Sequence, residues 1–352
     1  MSRTPRFLVI RRDNIGDLVC TTPLLAGLRR HYPQAHIAAL VNSYNCDVLA
    51  GNPDVDEIFA YTKAKHRQSG ETLLGVYAQR LRMFIEMRRI GFDIAILAAP
   101  GFQAHGLRFA RLAGAKKVLG FVPGGQDRLL EIPVTYGAGA ALHEVEDVWR
   151  LLAPLGIEGT PPPMKVQADP SALQHVTQAV AAATGRINEP DPRLRPPLVA
   201  LHLSARRPGQ RWPVEHYAAL ATRLHARHKV AFIVLWAPGS AANPLHPGDD
   251  EKARALEGLL KDMPALFYPT RSLAELIAAL AASDIVVCPD GGAMHLAAAA
   301  AKPVVCLFGD SPPSRWRPWA VPHQLLQAPT GEVRDISPAE VETACMRLLG
   351  GG

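Results

Sequence analysis

The chain has 352 residues, 48% hydrophobic and 20% charged, with no low-complexity tract, no fixed-period repeat and no apolar run near the roughly 18 residues of a bilayer span. That length exceeds one ordinary core and calls for two domains. The net charge of +6 is uneven: residues 1–168 carry 20 Lys and Arg against 15 Asp and Glu, and the remainder 18 against 17, so the first half carries the positive field.

In chain order, strand-like and helix-like segments alternate, the pattern of parallel α/β sheets. Phe7 to Ile10 reads as a strand. It is too short for the apolar core of a signal peptide and is ended by Arg11 and Arg12, so a cytoplasmic protein is expected. Pro23 to Tyr32 reads as a helix, His36 to Val41 as a strand, Leu73 to Ile90 as a helix with a basic face, Asp93 to Ala98 as a strand and Val145 to Leu155 as a helix. Pro161-Pro162-Pro163 is the strongest punctuation, which places a hinge near residues 158–170. A helix over Ser171 to Thr184 and a Pro-rich break over Asn188 to Pro197 precede a second α/β set. Its strands are Leu198 to Leu203, Val230 to Trp236, Ile285 to Cys288 and Val304 to Phe308. Its helices are Val214 to His228, Asp249 to Leu260, Leu273 to Ala282, Ala293 to Ala301 and Pro338 to Leu349. The five cysteines form no CxxC pair, which speaks against a disulfide framework or a Cys-based zinc site. Cys288 and Cys306 read as small core residues.

Three clusters can carry chemistry. Asp290-Gly291-Gly292-Ala293-Met294-His295 is a strand end, a glycine turn and a helix start, where unpaired N–H groups and the helix dipole favour an anion. Asp290 as a plain helix cap explains the same residues. Lys302 to Gly309 ends a neighbouring strand in a glycine turn, with Trp316 and Trp319 near enough in sequence to pack on a base or in the core. Arg11-Arg12-Asp13-Asn14-Ile15-Gly16-Asp17 follows the first strand, and Asp17 is suited either to a general base or to a helix-start acid. The stretch is neither GxGxxG nor a P-loop. His202 to Pro213 is a basic loop in which Arg207 or Arg211 can neutralise a diphosphate, or simply face solvent.

In this order the clusters resemble the heptosyltransferase family of lipopolysaccharide core assembly, glycosyltransferase family 9, over nearly the whole chain. The matching residues are Arg11-x4-Gly16-Asp17, Pro23-Leu24-Leu25-x2-Leu28-Arg29-x2-Tyr32-Pro33, Asn52-Pro53-x-Val55-Asp56, Arg211-Trp212-Pro213, Asp290-x-Gly292-x2-His295-Leu296-Ala297-Ala298-Ala299, Pro303-Val304-Val305-x-Leu307-Phe308-Gly309 and Pro313. The resemblance implies a GT-B fold of two facing Rossmann-like domains with a central cleft. It divides the chain into an acceptor domain over 1–165, a nucleotide-sugar domain over 166–331 and a closing helix over 332–352 packing back toward the first domain.

It also implies a metal-independent, inverting transfer of heptose from ADP-L-glycero-D-manno-heptose to a Kdo-lipid A type acceptor, with no cofactor. Asp17 would be the base. Ser204, Arg207, Arg211, Asp290, Gly291, Gly292 and His295 would hold the donor. Arg11, Gly16, Lys63, Lys65 and Arg67 would meet the anionic acceptor. The basic first half fits an anionic lipid and peripheral contact with the inner face of the inner membrane, and no nucleic acid is expected. Two positions depart from the family pattern: Gly291 stands where Thr or Ser is usual, and Gln210 where Lys is usual. A relative using another sugar or acceptor, a sugar-nucleotide epimerase and an inactive donor-binding module are the alternatives.

Overall fold

The computed structural model describes residues 4–61, 73–137, 142–186, 195–242 and 247–350. The chain folds as two compact units, Met1–Lys165 and Val166–Gly352.

The first unit is a parallel sheet of β1 (Arg6–Ile10), β2 (His36–Asn42), β3 (Glu57–Tyr61), β4 (Ile94–Leu97), β5 (Lys117–Val122) and β6 (Ile132–Thr135), in the order β3-β2-β1-β4-β5-β6. Its helices are α1 (Ile15–Val19), α2 (Thr22–His31), α3 (Leu73–Ile90), α4 (Ala104–Leu112) and α5 (Glu144–Trp149). The central strands are continuous apolar runs because helices cover both sheet faces. Leu8, Ile10, Leu40, Phe84, Met87 and Phe92 meet in one core on one side of the sheet. Gly27 lets α2 lie against Trp149, since a Cβ there would sit 2.7 Å from the indole ring. The helix expected to Leu155 stops as α-helix at Trp149 and continues as a 3-10 turn over Arg150–Leu155, because Pro154 cannot donate a helical hydrogen bond.

The second unit repeats the plan. Strands β7 (Leu198–His202), β8 (Ala231–Trp236), β9 (Ala265–Pro269), β10 (Ile285–Pro289), β11 (Val304–Phe308) and β12 (His323–Gln327) run parallel in the order β12-β11-β10-β7-β8-β9. Helices α6 (Pro170–Thr184), α7 (Val214–His228), α8 (Asp250–Leu259), α9 (Leu273–Ala282), α10 (Gly292–Ala299), α11 (Pro313–Trp316) and α12 (Pro338–Leu349) connect and cover them. Cys288 and Cys306 are fully buried in β10 and β11, as their apolar context implied.

Counted from its own first strand, each sheet has the doubly wound order 3-2-1-4-5-6. The direction of winding switches between β1 and β4 in one unit and between β7 and β10 in the other. A crevice outside the carboxyl ends of the strands forms at such a point.

The sequence reading sets residues 332–352 apart as a helix packing toward the first domain. In the structure Val333, Ile336, Val341, Ala344 and Cys345 are members of the second unit's core. Trp212, wholly buried, donates its indole N–H to the Ile336 carbonyl at 2.8 Å. Glu342 of α12 is gripped by Arg223 and Arg227 of α7. The apolar residues of α12 pack on α7 and the sheet of the second unit.

Candidate active site

In the first unit the chain leaves β1 at its switch point and enters α1. Arg11 is 1% exposed, and burial of a guanidinium requires carboxylate partners. It has three: Asp13 at 3.2 Å, Asp17 at 2.8 Å and Glu144 at 2.7 Å. These neighbours raise its pKa against the opposing effect of burial, so it stays charged. Asp17 uses Oδ1 for Arg11, while its Oδ2 accepts from the Asn14 backbone N–H at 2.9 Å and the Asn14 amide at 3.0 Å, closing a capping box on α1. Gly16 is buried inside that turn. Asn42 and Asn45 donate to the carbonyls of Arg12, Asp13 and Asn14. Tyr44 donates to the Asp13 carbonyl as well, so the loop that carries Asp17 is tied down along its length.

In the second unit, β10 ends at Pro289 and α10 opens three residues later at Gly292, with Gly291 at the cap. Gly291 has an extended backbone (φ 160°), and a Cβ there would meet nothing within 4 Å, so the space in front of the helix start is open. Asp290, half-buried, accepts from the Gln210 amide at 3.1 Å, and the same amide donates to Ser311 at 3.2 Å. Burial pushes the Asp290 carboxyl above the usual range. Ser311, Arg207 and Gln210 pull it back, and Asp310 adds to the rise. His295 lies on the buried first turns of α10, its ring edge-on to Trp316 at 5.9 Å. Arg207 is exposed, linked to Asp310 at 3.6 Å, and its field reaches Asp290.

The two arginines that the sequence left as equals are therefore placed differently. Arg211 turns to Asp249 (3.3 Å) and to the Ala205 carbonyl (3.1 Å). Asp249 is 2% exposed, and its second oxygen has no hydrogen-bond partner among the described residues. Ser204 accepts from the Ala237 backbone N–H at 2.9 Å, joining the ends of β7 and β8. Asp250 is occupied by the Trp236 indole N–H (2.8 Å) and the Gly239 N–H (3.0 Å). Beneath this loop Lys252 donates to the Leu203 carbonyl at 3.1 Å. Burial brings its pKa down to about 8, with Asp249 opposing and Arg211 assisting. His202 is driven to about 4 by burial and then by Lys252.

Arg11, Gly16 and Asp17 thus come together in one unit. In the other, Asp290, Gly291, Gly292 and His295 come together with Arg207 nearby, while Ser204 and Arg211 belong to a neighbouring network. Lys63, Lys65 and Arg67 lie outside the described residues. Glu144 and Ser311 have no motif around them in the sequence: Glu144 reaches Arg11 from 133 residues away, and Ser311 reaches Gln210 from 101. Among the described residues no helix is long and apolar enough to cross a membrane.

Comparison with known proteins agrees with this architecture. The profile of glycosyltransferase family 9 (heptosyltransferase) matches residues 80–342. Lipopolysaccharide heptosyltransferase 3 of Escherichia coli is 21% identical over 91% of this chain and 88% of its own length. Lipopolysaccharide heptosyltransferase 2 of Escherichia coli K12 is 25% identical over 93% and 89%. A glycosyltransferase family 9 structure from Veillonella parvula superposes with a TM-score of 0.80 at 19% identity, covering 99% of this chain and 98% of the other. E. coli ADP-heptose LPS heptosyltransferase II superposes with a TM-score of 0.74 at 20% identity, over 98% and 99%. The heptosyltransferase WaaC of E. coli, solved with ADP, gives a TM-score of 0.71 at 16% identity, over 97% and 99%. The structural likeness shows the GT-B fold, and the profile match extends over the second half of the first unit and nearly all of the second. The chain belongs to glycosyltransferase family 9, the heptosyltransferases of lipopolysaccharide core biosynthesis.

Proposed function

We propose that this glycosyltransferase moves heptose from ADP-L-glycero-D-manno-heptose to an anionic inner-core acceptor of the Kdo-lipid A type, with inversion and without a metal. The first unit supplies the base and the acceptor contacts, and the second supplies the donor contacts. Asp17 takes the proton of the acceptor hydroxyl. The hydroxyl oxygen then forms a bond to the anomeric carbon as the bond from that carbon to the diphosphate breaks, and ADP leaves. A single in-line displacement of this kind inverts the anomeric centre. Asp17 Oδ2 is filled by its two Asn14 contacts, but Oδ1 accepts from Arg11 and keeps a lone pair for the acceptor hydroxyl, so these contacts can persist while the hydroxyl docks.

The observation that carries the reading is the placement of a fixed carboxylate, Asp17, beyond the switch-point strand β1 of one doubly wound sheet, and of Asp290 with an open glycine helix start beyond β10 of the other. In the donor site the Gly291 and Gly292 N–H groups and the α10 dipole meet the diphosphate, and Arg207 adds the positive charge that a divalent ion supplies elsewhere. His295 is proposed to donate to the donor. Ser204 and Arg211 shape the loop that holds the nucleoside. Lys63, Lys65 and Arg67 meet the acceptor at the inner face of the membrane, while the buried Arg11 and Gly16, which the resemblance assigned to the acceptor, act from beneath by positioning Asp17. The ADP bound to WaaC supports an adenine nucleotide as the carrier.

Thermal unfolding in the presence of ADP-heptose, ADP-glucose, UDP-glucose and GDP-mannose tests the donor, because a ligand of the folded state stabilises it in proportion to its affinity. ADP-heptose is expected to raise Tm most. A larger shift with a UDP or GDP sugar would replace the proposed donor.

A further inference from the structure

Arg11 and Arg12 are adjacent at the end of β1, and the structure treats them in opposite ways. Arg11 turns into the unit, where three carboxylates consume its charge. Arg12 points to the other side, as consecutive residues leaving a strand do. There it lies over aromatic rings: its guanidinium carbon is 4.3 Å from the Phe109 centroid and 5.1 Å from that of Tyr61. Its Nε donates to the Tyr61 hydroxyl at 2.6 Å. Tyr61 and Phe109 are themselves in contact at 5.2 Å, and Phe84 stacks on Phe109 at 5.5 Å, so the rings form a rigid floor. The backbone of Arg12 is pinned by the Asn42 amide on its carbonyl, at 2.6 Å.

These contacts use the face and the Nε of the guanidinium. Neither Nη group has a hydrogen-bond or ion-pair partner among the described residues. A second guanidinium, that of Arg80, approaches the same Tyr61 ring at 5.9 Å. An anion held by Arg12 on this side would be attracted by both guanidinium groups. A planar fork with its orientation already fixed loses little freedom when it binds a two-oxygen anion.

We infer that Arg12 forms an oxyanion subsite, assisted by Arg80, that takes a carboxylate or phosphate of the acceptor and orients its hydroxyl toward Asp17. The subsite rests on the reading above in two respects, the identity of the molecule that carries the anion and the role of Asp17 as the base. Arg12 and Asp17 flank one immobilised loop, so an anion held by the first sets the register of the hydroxyl offered to the second. Arg12 is a specificity-determining residue on this view, and the aromatic floor is what makes its position precise.

Two measurements on the full chain test it. In the first, the arginine Nε–H resonances are followed during titration with inorganic phosphate and, separately, acetate. The Arg12 signal is identified by its loss in Arg12→Lys. A saturable shift of that signal with either anion is expected, whereas a linear drift with both, the signature of ionic strength alone, would overturn the subsite.

In the second, transfer is measured for wild type, Arg12→Lys and Arg12→Met with three acceptors: intact, dephosphorylated, and esterified at its carboxylates. Arg12→Met is expected to raise the intact acceptor's KM roughly tenfold or more and to leave the donor KM unchanged. Arg12→Lys should recover only part of the loss, since it keeps charge without the fork. The penalty should vanish on the acceptor lacking the anion that Arg12 reads, which also tells phosphate from carboxylate. Equal losses on all three acceptors, or an unchanged KM, would overturn the proposal. Should no acceptor be used, the functional reading fails while the titration still decides the subsite.

Discussion

The Nη2 group of Arg11 stands 2.8 Å from Asp17 and 2.7 Å from Glu144, so the carboxylate proposed as the base is positioned through a buried arginine by a residue from the far end of the same unit. Asp17 sits on a five-residue helix that could not hold it alone, because a helix that short is unstable without tertiary contacts. The ion-pair cluster is one such contact, beside the hydrogen bonds from Asn42, Tyr44 and Asn45. Replacing Arg11 by Met would remove its ion pairs with Asp17 and the buried Glu144 and is expected to cost about 3–5 kcal/mol. Urea unfolding measures this directly, and a loss below about 1 kcal/mol would show that the cluster does not hold the loop.

The donor end yields a prediction of gain. Gly291 has room for a side chain and a backbone conformation that any residue adopts. Gly291→Thr is therefore expected to fold with stability within about 0.5 kcal/mol of wild type and to tighten ADP binding severalfold through one added hydroxyl donor. Weaker binding of ADP by calorimetry would mean that the diphosphate does not sit at the α10 start.

Gln210→Lys bears on the same pocket. It would place an ammonium group between Asp290 and Ser311, where a neutral amide now stands. The Asp290 carboxyl, held above its usual range by burial, should fall toward ordinary acidity beside that cation. Carboxyl-resolved NMR titration of the two proteins reads the change, and an Asp290 pKa that stays the same or rises would contradict the assigned contacts.

The legible part of this structure was its interior. β1, β2, β7, β8, β10 and β11 are buried on both faces and read as unbroken apolar runs. The edge strands β3, β6, β9 and β12 are only partly covered and carry Glu57, Pro133, Pro269 and Gln324. β6 and β12 give neither an apolar run nor an alternation, the short apolar stretches of β3 and β9 are bounded by Glu57 and Pro269, and β5 is interrupted by Gly120. Asp17, Asp290 and Gly291 were visible because a strand end, a turn and a helix start are neighbours in sequence. Glu144, Ser311 and the aromatic floor under Arg12 were not, because they arrive through tertiary folding with no local period to announce them. The choice between Arg207 and Arg211 likewise depended on Asp249, which lies 38 residues beyond Arg211.

His202 gives the chain a pH-dependent stability of known sign. It is 7% exposed and titrates near 4 in the folded protein, against 6.5 for a free histidine. Between those values the unfolded chain binds the extra proton, so stability falls as pH drops from 6.5 to 4, by up to about 3 kcal/mol from this group. Above pH 6.5 it contributes no slope. His202→Gln should flatten this part of the profile in denaturant titrations at pH 4.5 and 7. An identical slope in both proteins would contradict the burial of a neutral imidazole.

Gly248 closes the base of the loop that follows β8. A Cβ at this position would collide with the Gly239 carbonyl, which is backbone and cannot swing aside. Gly248→Ala is expected to cost about 1–3 kcal/mol and to displace Asp249 and Asp250 from Arg211 and Trp236. Tryptophan fluorescence should report the loss of the Trp236 hydrogen bond. An unchanged spectrum together with unchanged stability would refute this role for the glycine.

The most direct test of the central claim is transfer of labelled heptose from ADP-heptose to a Kdo-lipid A type acceptor by wild type and Asp17→Asn, with ADP binding measured on the same preparations. Asn keeps the shape of Asp17 but cannot take a proton. Wild type is expected to transfer. The variant should lose at least about a hundredfold in kcat, the usual worth of a general base, while binding ADP as wild type does. Transfer by Asp17→Asn at the wild-type rate would contradict the assignment of the base, and absence of transfer by wild type despite ADP binding would contradict the assignment of the reaction.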